Sequence, residues 1–391
     1  MANRPLFFLI AGEASGDLLG ARLMAALKKR TQGNVQFAGV GGPRMQAEGM
    51  DLLFPQAELA HFGFFELIGH IPHILKRIRE TSQAIKRQQP AALITIDAPD
   101  FCFRVAKKVK ATKIPLIHYV APTVWAWRPK RAHTIAQFLT HLLTLLPFEP
   151  PYFTKEGLGC TFVGHPIVEN GADKGQAQRF YDRHGLTPST QLLTVLPGSR
   201  RSEVARLMPI FGATLHRLKQ QHPALHVVIP VAPMMAASLK EQARLWDVPV
   251  IITETDDDKY DAFAASRAAL ACSGTVALEL ALARLPAVIT YKISTLTYYL
   301  YRRLIKVRFA NLVNIMHDRM VVPELLQQDC TPEKLASAVH DLLSQETLRQ
   351  QQIKGLGEVG AWLGQGQFVP SERAADQVLR VLDQSLALSH P

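Results

Sequence analysis

Short apolar runs of strand length recur along this chain, each closed by a turn of Gly, Pro, Ser or Asp and followed by a helical stretch. In the first half they fall at residues 6–11, 35–40, 92–96, 115–120, 142–146 and 160–163. The alternation then restarts at 191–196, 225–230, 249–253, 268–271 and 287–291. Runs that are apolar throughout, rather than at every second residue, suit strands covered on both faces, and strand–helix alternation builds such sheets parallel. Between the two series lies GHPIVENGADKGQ, polar and Gly-rich, which reads as a hinge. The expected fold is therefore α/β, with two Rossmann-like parallel-sheet domains over 1–167 and 168–345 and a C-terminal helical segment over 346–391. Ligands of such sheets sit beyond the carboxyl ends of the strands, so the turns that follow the runs are where chemistry is sought.

Five of those turns carry suggestive side chains. GEASGD (Gly12–Asp17) lies between the first strand and first helix. Its amides suit an anion, but Ser15 and Asp17 equally suit a helix cap, and GxGxxG is not matched. TIDAPDF places Asp97 just beyond a strand and Asp100 three residues later. Asp97 is the better general base for a hydroxyl, while Asp100 reads as a helix cap. YVAPTVWAWRPKR combines Trp125 and Trp127 with Arg128, Lys130 and Arg131; it suits stacking on a sugar or base, or packing of a domain interface. PGSRRSEV offers Ser199, helix-start amides and Arg200 or Arg201 to a phosphate, without the Walker GK[ST]. CSGTVALE offers Ser273, Gly274 and Thr275, with Glu279 on the same side of the following helix, where a carboxylate can accept two ribose hydroxyls. The acidic run TDDDKYD imitates a metal-binding Asp-x-Asp, yet it precedes an Ala-rich helix, where the dipole favours acid; no metal site is expected.

The formal charge is +11, from 44 Lys+Arg against 33 Asp+Glu. Thirteen of those cations and only four acids lie in residues 61–134, a local net of +9 interleaved with apolar side chains. A basic and greasy stretch favours an acidic membrane or phosphorylated lipid over nucleic acid. Within it, FGFFELIGHIPHILKRIRE (62–80) reads as an amphipathic helix that either joins the core or dips into an anionic bilayer, with Phe64, Phe65, Leu67, Ile68, Ile71 and Leu75 beside Lys76 and Arg77. A second stretch, 295–309, has the same character, with Arg302, Arg303, Lys306 and Arg308. No run reaches the length of a spanning helix, and the N-terminus lacks a signal-peptide pattern, so a cytoplasmic protein is expected. Cys102, Cys160, Cys272 and Cys330 are far apart with no CxxC, which fits buried thiols in a reducing compartment.

AGEASGDLLGA, GVGGPRMQAEG, IDAPDF, HYVAPTVWAW, LPFE, GHP, LPGSRRSEV, CSGTVALE and PELLQ follow one another in the order found in lipid-A-disaccharide synthases. Over nearly its whole length the chain resembles that family of inverting GT-B glycosyltransferases from Gram-negative bacteria. The resemblance implies two domains facing a central cleft that closes, with the C-terminal helix returning to the N-terminal domain or to a partner subunit. It implies transfer from UDP-2,3-diacylglucosamine to 2,3-diacylglucosamine 1-phosphate, giving the β-1,6-linked tetra-acyl disaccharide phosphate and UDP. By the same resemblance Asp97 is the catalytic base and Arg200 holds the departing diphosphate. Ser199, Ser273, Gly274, Thr275, Glu279 and Asn314 attend the nucleotide, and Glu13, Ser15, Asp17, Trp127 and Arg128 line the acceptor side. No cofactor or metal, no covalent intermediate and no nucleic-acid partner are implied. The partners are the two lipid substrates, anionic lipids on the inner face of the inner membrane, and a second copy in a homodimer that exchanges C-terminal segments. Competing readings are another GT-B UDP-sugar transferase, a UDP-sugar epimerase, and a lipid-binding protein without turnover.

Overall fold

The computed structural model describes residues 4–60, 67–231, 233–294 and 307–389. The chain divides into two compact units: residues 1–166 with 367–391, and residues 167–366.

Unit 1 is built on seven strands: β1 (Leu6–Ala11), β2 (Gln36–Gly41), β3 (Asp51–Pro55), β4 (Ala92–Ile96), β5 (Leu116–Tyr119), β6 (His141–Thr144) and β7 (Gly159–Phe162). They form one parallel sheet in the order β3-β2-β1-β4-β5-β6-β7. Successive residues of β1 face opposite ways and both ways are dry: Phe8 and Ile10 enter one core, Phe7, Leu9 and Ala11 the other. That is why its sequence is apolar without alternation. β3 escapes the sequence reading because it is an edge strand that begins with Asp51, ends with Pro55 and exposes Leu53.

The last helix, Pro370–Ser389, returns to unit 1 and lies on the first, Ala14–Arg30. Ala374, Ala375, Val378 and Val381 complete the core behind Phe7 and Leu9. At the rim Arg30 pairs with Asp376 and Glu372, and Lys29 with Glu372. These ion pairs are exposed and set register more than stability; the buried apolar row holds the helix.

Unit 2 repeats the plan with six strands: β8 (Gln191–Leu196), β9 (Leu225–Pro230), β10 (Val250–Thr253), β11 (Ala268–Cys272), β12 (Ala287–Tyr291) and β13 (Glu324–Leu326), ordered β10-β9-β8-β11-β12-β13 and again parallel. β13, only three residues long, carries too little pattern to be read from sequence. The helix Glu346–Trp362 belongs here rather than to a separate tail. It packs on the helix Val276–Leu282, and its buried Gln352 accepts the N–H of Ala287 at 2.9 Å.

In each sheet the strand order reverses once, between β1 and β4 in unit 1 and between β8 and β11 in unit 2. A parallel sheet opens a crevice at such a point, because the helices after the two adjoining strands leave on opposite faces. The turns at these two points are GEASGD with DAPDF, and PGSRR with CSGT. The fold therefore singles out four of the turns marked by their residues.

Candidate functional site

In unit 1, Ala11 pairs with Ile96, so the turns after β1 and β4 leave the sheet side by side. Asp97 and Ala98 are consecutive non-glycine residues in the left-handed region, with φ of 51° and 41°. Each such residue costs roughly 1–2 kcal/mol, a strain that concentrates at functional sites. The geometry is held in place by Asp97 N–H donating to Tyr119 O at 3.0 Å and by Gly12, whose missing side chain makes room for Ala98. The Asp97 side chain is half-buried, and among the described residues its carboxylate has no hydrogen-bond partner. Behind it His118 Nδ1 meets Thr95 Oγ1 at 2.7 Å, while Nε2 is buried with no partner among the described residues. Burial, then the charge of Arg131, pushes His118 down to about 3. That ring is a neutral core group.

Asp100 is not the helix cap. The cap position of the helix Pro99–Val109 is Ala98, and Asp100 stands exposed in the first turn, 3.4 Å from Arg131. Of the GEASGD side chains, Glu13 and Ser15 are exposed at the crevice, but Asp17 turns inward. At 3% exposure its carboxylate accepts the N–H groups of Gly42 and Met45 on Oδ1 and of Arg44 on Oδ2, at 2.9–3.0 Å. Asp17 therefore organises the GGPRM turn, and no ligand-facing oxygen is left to it. Sequence proximity to Glu13 hid this, because its partners lie 25–28 residues away.

The two tryptophans divide their work. Trp125 donates to Glu149 at 3.2 Å and meets Phe148 edge-on. Glu149 also accepts from the N–H groups of Leu145 and Leu146, yet burial outweighs these donors and pushes it up to about 7. This carboxyl in LPFE is a structural anchor that the sequence reading did not single out. Trp127, 37% exposed, carries the Arg128 guanidinium 4.0 Å above its ring. It is the pair of the loop available to a sugar.

In unit 2, Leu196 pairs with Ala271, which brings the turns after β8 and β11 together around a cavity of about 780 Å³. Ser199, Arg200, Ser273, Gly274, Thr275 and Glu279 all line it. Gly198 has a φ of 114°, and a Cβ there would strike Glu203 Oε2 at 2.7 Å. Glu203 in turn accepts the N–H groups of Ser199 and Arg200, both at 3.2 Å, as the acid of a capping box. The amides offered to a phosphate in the sequence reading are thus capped by a carboxylate in this state. The Arg200 side chain is 77% exposed and reaches Glu203 only at 3.5 Å, which leaves it available to an anion. Among the described residues, no atom beyond its chain neighbours stands within 4 Å of the place a Gly274 Cβ would occupy, so their packing does not require glycine there, and a ligand can approach its backbone. Cys272 also lines the cavity, but burial pushes its thiol up to about 12, which leaves it unreactive.

The acidic run opens the helix Asp256–Ala265. Thr255 caps it by accepting from Asp258 N–H at 3.1 Å, Asp258 pairs with Arg183, and Asp256 with Lys259. Asn314, expected at the nucleotide, is fully buried elsewhere. Its amide donates to Val322 O and Glu324, and its oxygen accepts from Val321 and Val322 N–H. A side-chain amide with two donors and one oxygen is saturated by that set. Asn314 is corrected from a nucleotide contact to the clamp of the turn before β13.

Phe64 and Phe65 lie outside the described residues, as do the side chains of Leu67 and Ile68 and residues 295–306 of the second basic stretch. Ile71 and Leu75, 46% and 49% exposed, occupy the helix Leu67–Gln88 on the same face as the buried Ile78 and Ser82. Lys76 is exposed beside them. Arg77 instead turns to Glu58 and Glu80 and lies over Phe54, so it is an internal tie rather than a surface cation. Among the described residues, no helix is long and apolar enough to cross a membrane.

Comparison with known proteins adds three findings. The sequence profile of the lipid-A-disaccharide synthetase family matches residues 7–376. The lipid-A-disaccharide synthase of Rhodospirillum centenum is 60% identical over 96% of this chain and 94% of its own, and that of Paramagnetospirillum magneticum 49% identical over 97% and 98%. Among solved structures, the glycosyltransferase of kitacinnamycin superposes with a TM-score of 0.64 at 13% identity, covering 97% of this chain and 99% of that one. UDP-GlcNAc 2-epimerase from Neisseria meningitidis, bound to UDP-GlcNAc, gives 0.59 at 10% identity, with coverage of 97% and 99%. Likeness at such identities speaks for the fold alone.

Proposed function

The chain belongs to the lipid-A-disaccharide synthase family, and from that premise we propose how its own residues perform the transfer. It is a GT-B glycosyltransferase that condenses UDP-2,3-diacylglucosamine with 2,3-diacylglucosamine 1-phosphate and releases UDP. The donor phosphate is α-linked and the new bond β, so one displacement with inversion suffices. The acceptor 6-oxygen attacks C1 as its proton passes to Asp97; the C1–O bond breaks, and its electron pair leaves on the β-phosphate of UDP. Arg200, Ser199 and the Ser273–Thr275 turn meet the charge that develops on the diphosphate. Glu279 accepts the ribose hydroxyls. Glu13, Ser15, Trp127 and Arg128 hold the acceptor, whose 1-phosphate suits the guanidinium.

The observation that carries this reading is Asp97: a carboxylate without a partner among the described residues, held in left-handed backbone at the point where the strand order of unit 1 reverses. A structural aspartate in so costly a conformation would be expected to use its oxygens on the fold.

Both substrates bear acyl chains, so the enzyme works at the cytoplasmic leaflet of the inner membrane as a peripheral protein. The exposed Ile71 and Leu75 beside Lys76 support that placement, with Phe64, Phe65, Leu67 and Ile68 next to them in sequence. The deciding assay measures UDP release from purified protein. Release that needs both acylated substrates is expected. Equal turnover of UDP-GlcNAc, or conversion of donor without acceptor, would overturn the assignment in favour of another UDP-sugar transferase or an epimerase.

A further inference from the structure

Glu279 stands on the helix Val276–Leu282 and lines the unit 2 cavity next to the Ser273–Thr275 turn. Two donors from the neighbouring helix Asp256–Ala265 converge on it. Lys259 Nζ and Tyr260 Oη both reach Glu279 Oε1 at 3.2 Å. Lys259 is tied on its other side to Asp256 Oδ1 at 3.1 Å and lies 4.6 Å over the Tyr260 ring. The next residue fixes the helix: Asp261 is fully buried, paired with Arg179 and accepting the N–H of Gln176 at 2.8 Å. Among the described residues, both side-chain hydrogen bonds to Glu279 therefore arrive at one oxygen.

We infer that Lys259 and Tyr260 are positioning residues for nucleotide recognition: by filling Oε1 they hold the Glu279 carboxylate so that Oε2 is presented to the vicinal hydroxyls of the ribose. A carboxylate oxygen has two lone pairs, one for each hydroxyl of a 2′,3′-diol. A free glutamate would lose the freedom of three torsions on binding; one already held by two donors loses far less. Tyr260 is suited to donate without interruption, since burial, reinforced by the charge of Glu279, pushes its hydroxyl up to about 12. Sequence spacing does not reveal this arrangement, because Lys259 and Tyr260 belong to an acidic helix start that reads as a simple cap.

The inference rests on the cavity being the UDP site, and the test separates the two. Calorimetric titration of the full chain compares UDP with 2′,3′-dideoxy-UDP, for the wild type, Lys259→Met, Lys259→Arg and Tyr260→Phe. The wild type is expected to prefer UDP by about tenfold. Lys259→Met and Tyr260→Phe should each shrink that preference by about threefold while binding dideoxy-UDP within about twofold of wild type, with Lys259→Arg restoring most of it. Tyr260→Phe removes only a hydroxyl, so its result does not hang on folding. Equal weakening toward both nucleotides, or an unchanged preference in both variants, overturns the positioning role and leaves the UDP site standing. A wild type that binds both nucleotides alike, or neither, overturns the ribose assignment of Glu279 and this inference with it.

Discussion

Gly12 and Ala98 press together so closely that a Cβ added to Gly12 would stand 2.6 Å from the Cβ of Ala98. This contact joins the turn after β1 to the turn after β4 and leaves Asp97–Ala98 little freedom to relax toward ordinary backbone. Gly12→Ala is expected to destabilise the protein by about 1–3 kcal/mol through overpacking. It should lower turnover more than that loss explains, since the displaced residue adjoins Asp97, the proposed base. UDP affinity, assigned here to unit 2, should stay unchanged in calorimetry. Normal kcat in Gly12→Ala would mean that the contact does not hold Asp97.

Asp97→Asn keeps the size of the side chain, and asparagine tolerates left-handed backbone, so the fold should persist. Loss of a general base costs about 10²- to 10⁴-fold in rate. We expect kcat to fall within that range with near-native UDP binding and melting temperature. Near-normal turnover would remove Asp97 from the base role.

Asn314 distinguishes a clamp from a ligand. Asn314→Ala strips partners from the N–H groups of Val321 and Val322 and from Val322 O, all near a buried side chain. The cost should be about 3 kcal/mol, since stranded buried polar groups are expensive. Thermal unfolding should move down accordingly, while UDP affinity measured well below the transition remains that of wild type. A stable variant with weak UDP binding would restore Asn314 to the nucleotide site.

Acid should unfold this protein early. Burial pushes His118 down to about 3 and His165 to about 4, each from an ordinary 6.5. His141, His184 and His222 are also lowered, again chiefly by burial. A histidine depressed in the folded state takes up its proton only on unfolding, so its stabilising contribution is complete above about 6.5 and drains away as pH falls toward 3–4. Glu149 works the other way: raised from 4.5 to about 7, its contribution is complete below about 4.5 and lost as pH rises through about 7. The histidines outnumber it. Denaturant unfolding is therefore expected to show net proton uptake and falling stability from pH 6.5 to 4.5, a trend that Glu149→Gln makes steeper. Stability that rises over that interval would contradict the buried neutral histidines.

The helix Leu67–Gln88 offers a direct test of membrane contact. Ile71 and Leu75 are about half exposed, so replacing both with Ser should leave the melting temperature within a degree or so, as surface changes usually do. Burial of such side chains in lipid is worth about 1.5–3 kcal/mol each. Partition onto vesicles rich in phosphatidylglycerol should then weaken by more than tenfold. Undiminished sedimentation with vesicles would exclude this face as the docking surface.

Most of the fold was legible because its signals are local. A strand buried on both faces must be apolar throughout, as in Leu6–Ala11 and Ala268–Cys272, and a turn at a helix start must be small or polar, as in PGSRR and CSGT. Two parallel sheets and the turns that close their strands follow from those signals, and Asp97, Arg200 and Glu279 stand where such turns put them. Partnership was not legible, because it depends on which strands adjoin. Pairing of β1 with β4 presses Gly12 on Ala98, segments some 85 residues apart in the chain. The same kind of contact between separate elements turned Asp17 toward Gly42–Met45 and set Lys259 and Tyr260 on Glu279, while a nearer turn, through Val321 and Val322, took Asn314 into a buried clamp. The sequence by itself determined which residues could carry charge and chemistry. The tertiary structure decided which carboxylates remain free to use it, since a buried polar group must find its partners wherever the packing places them.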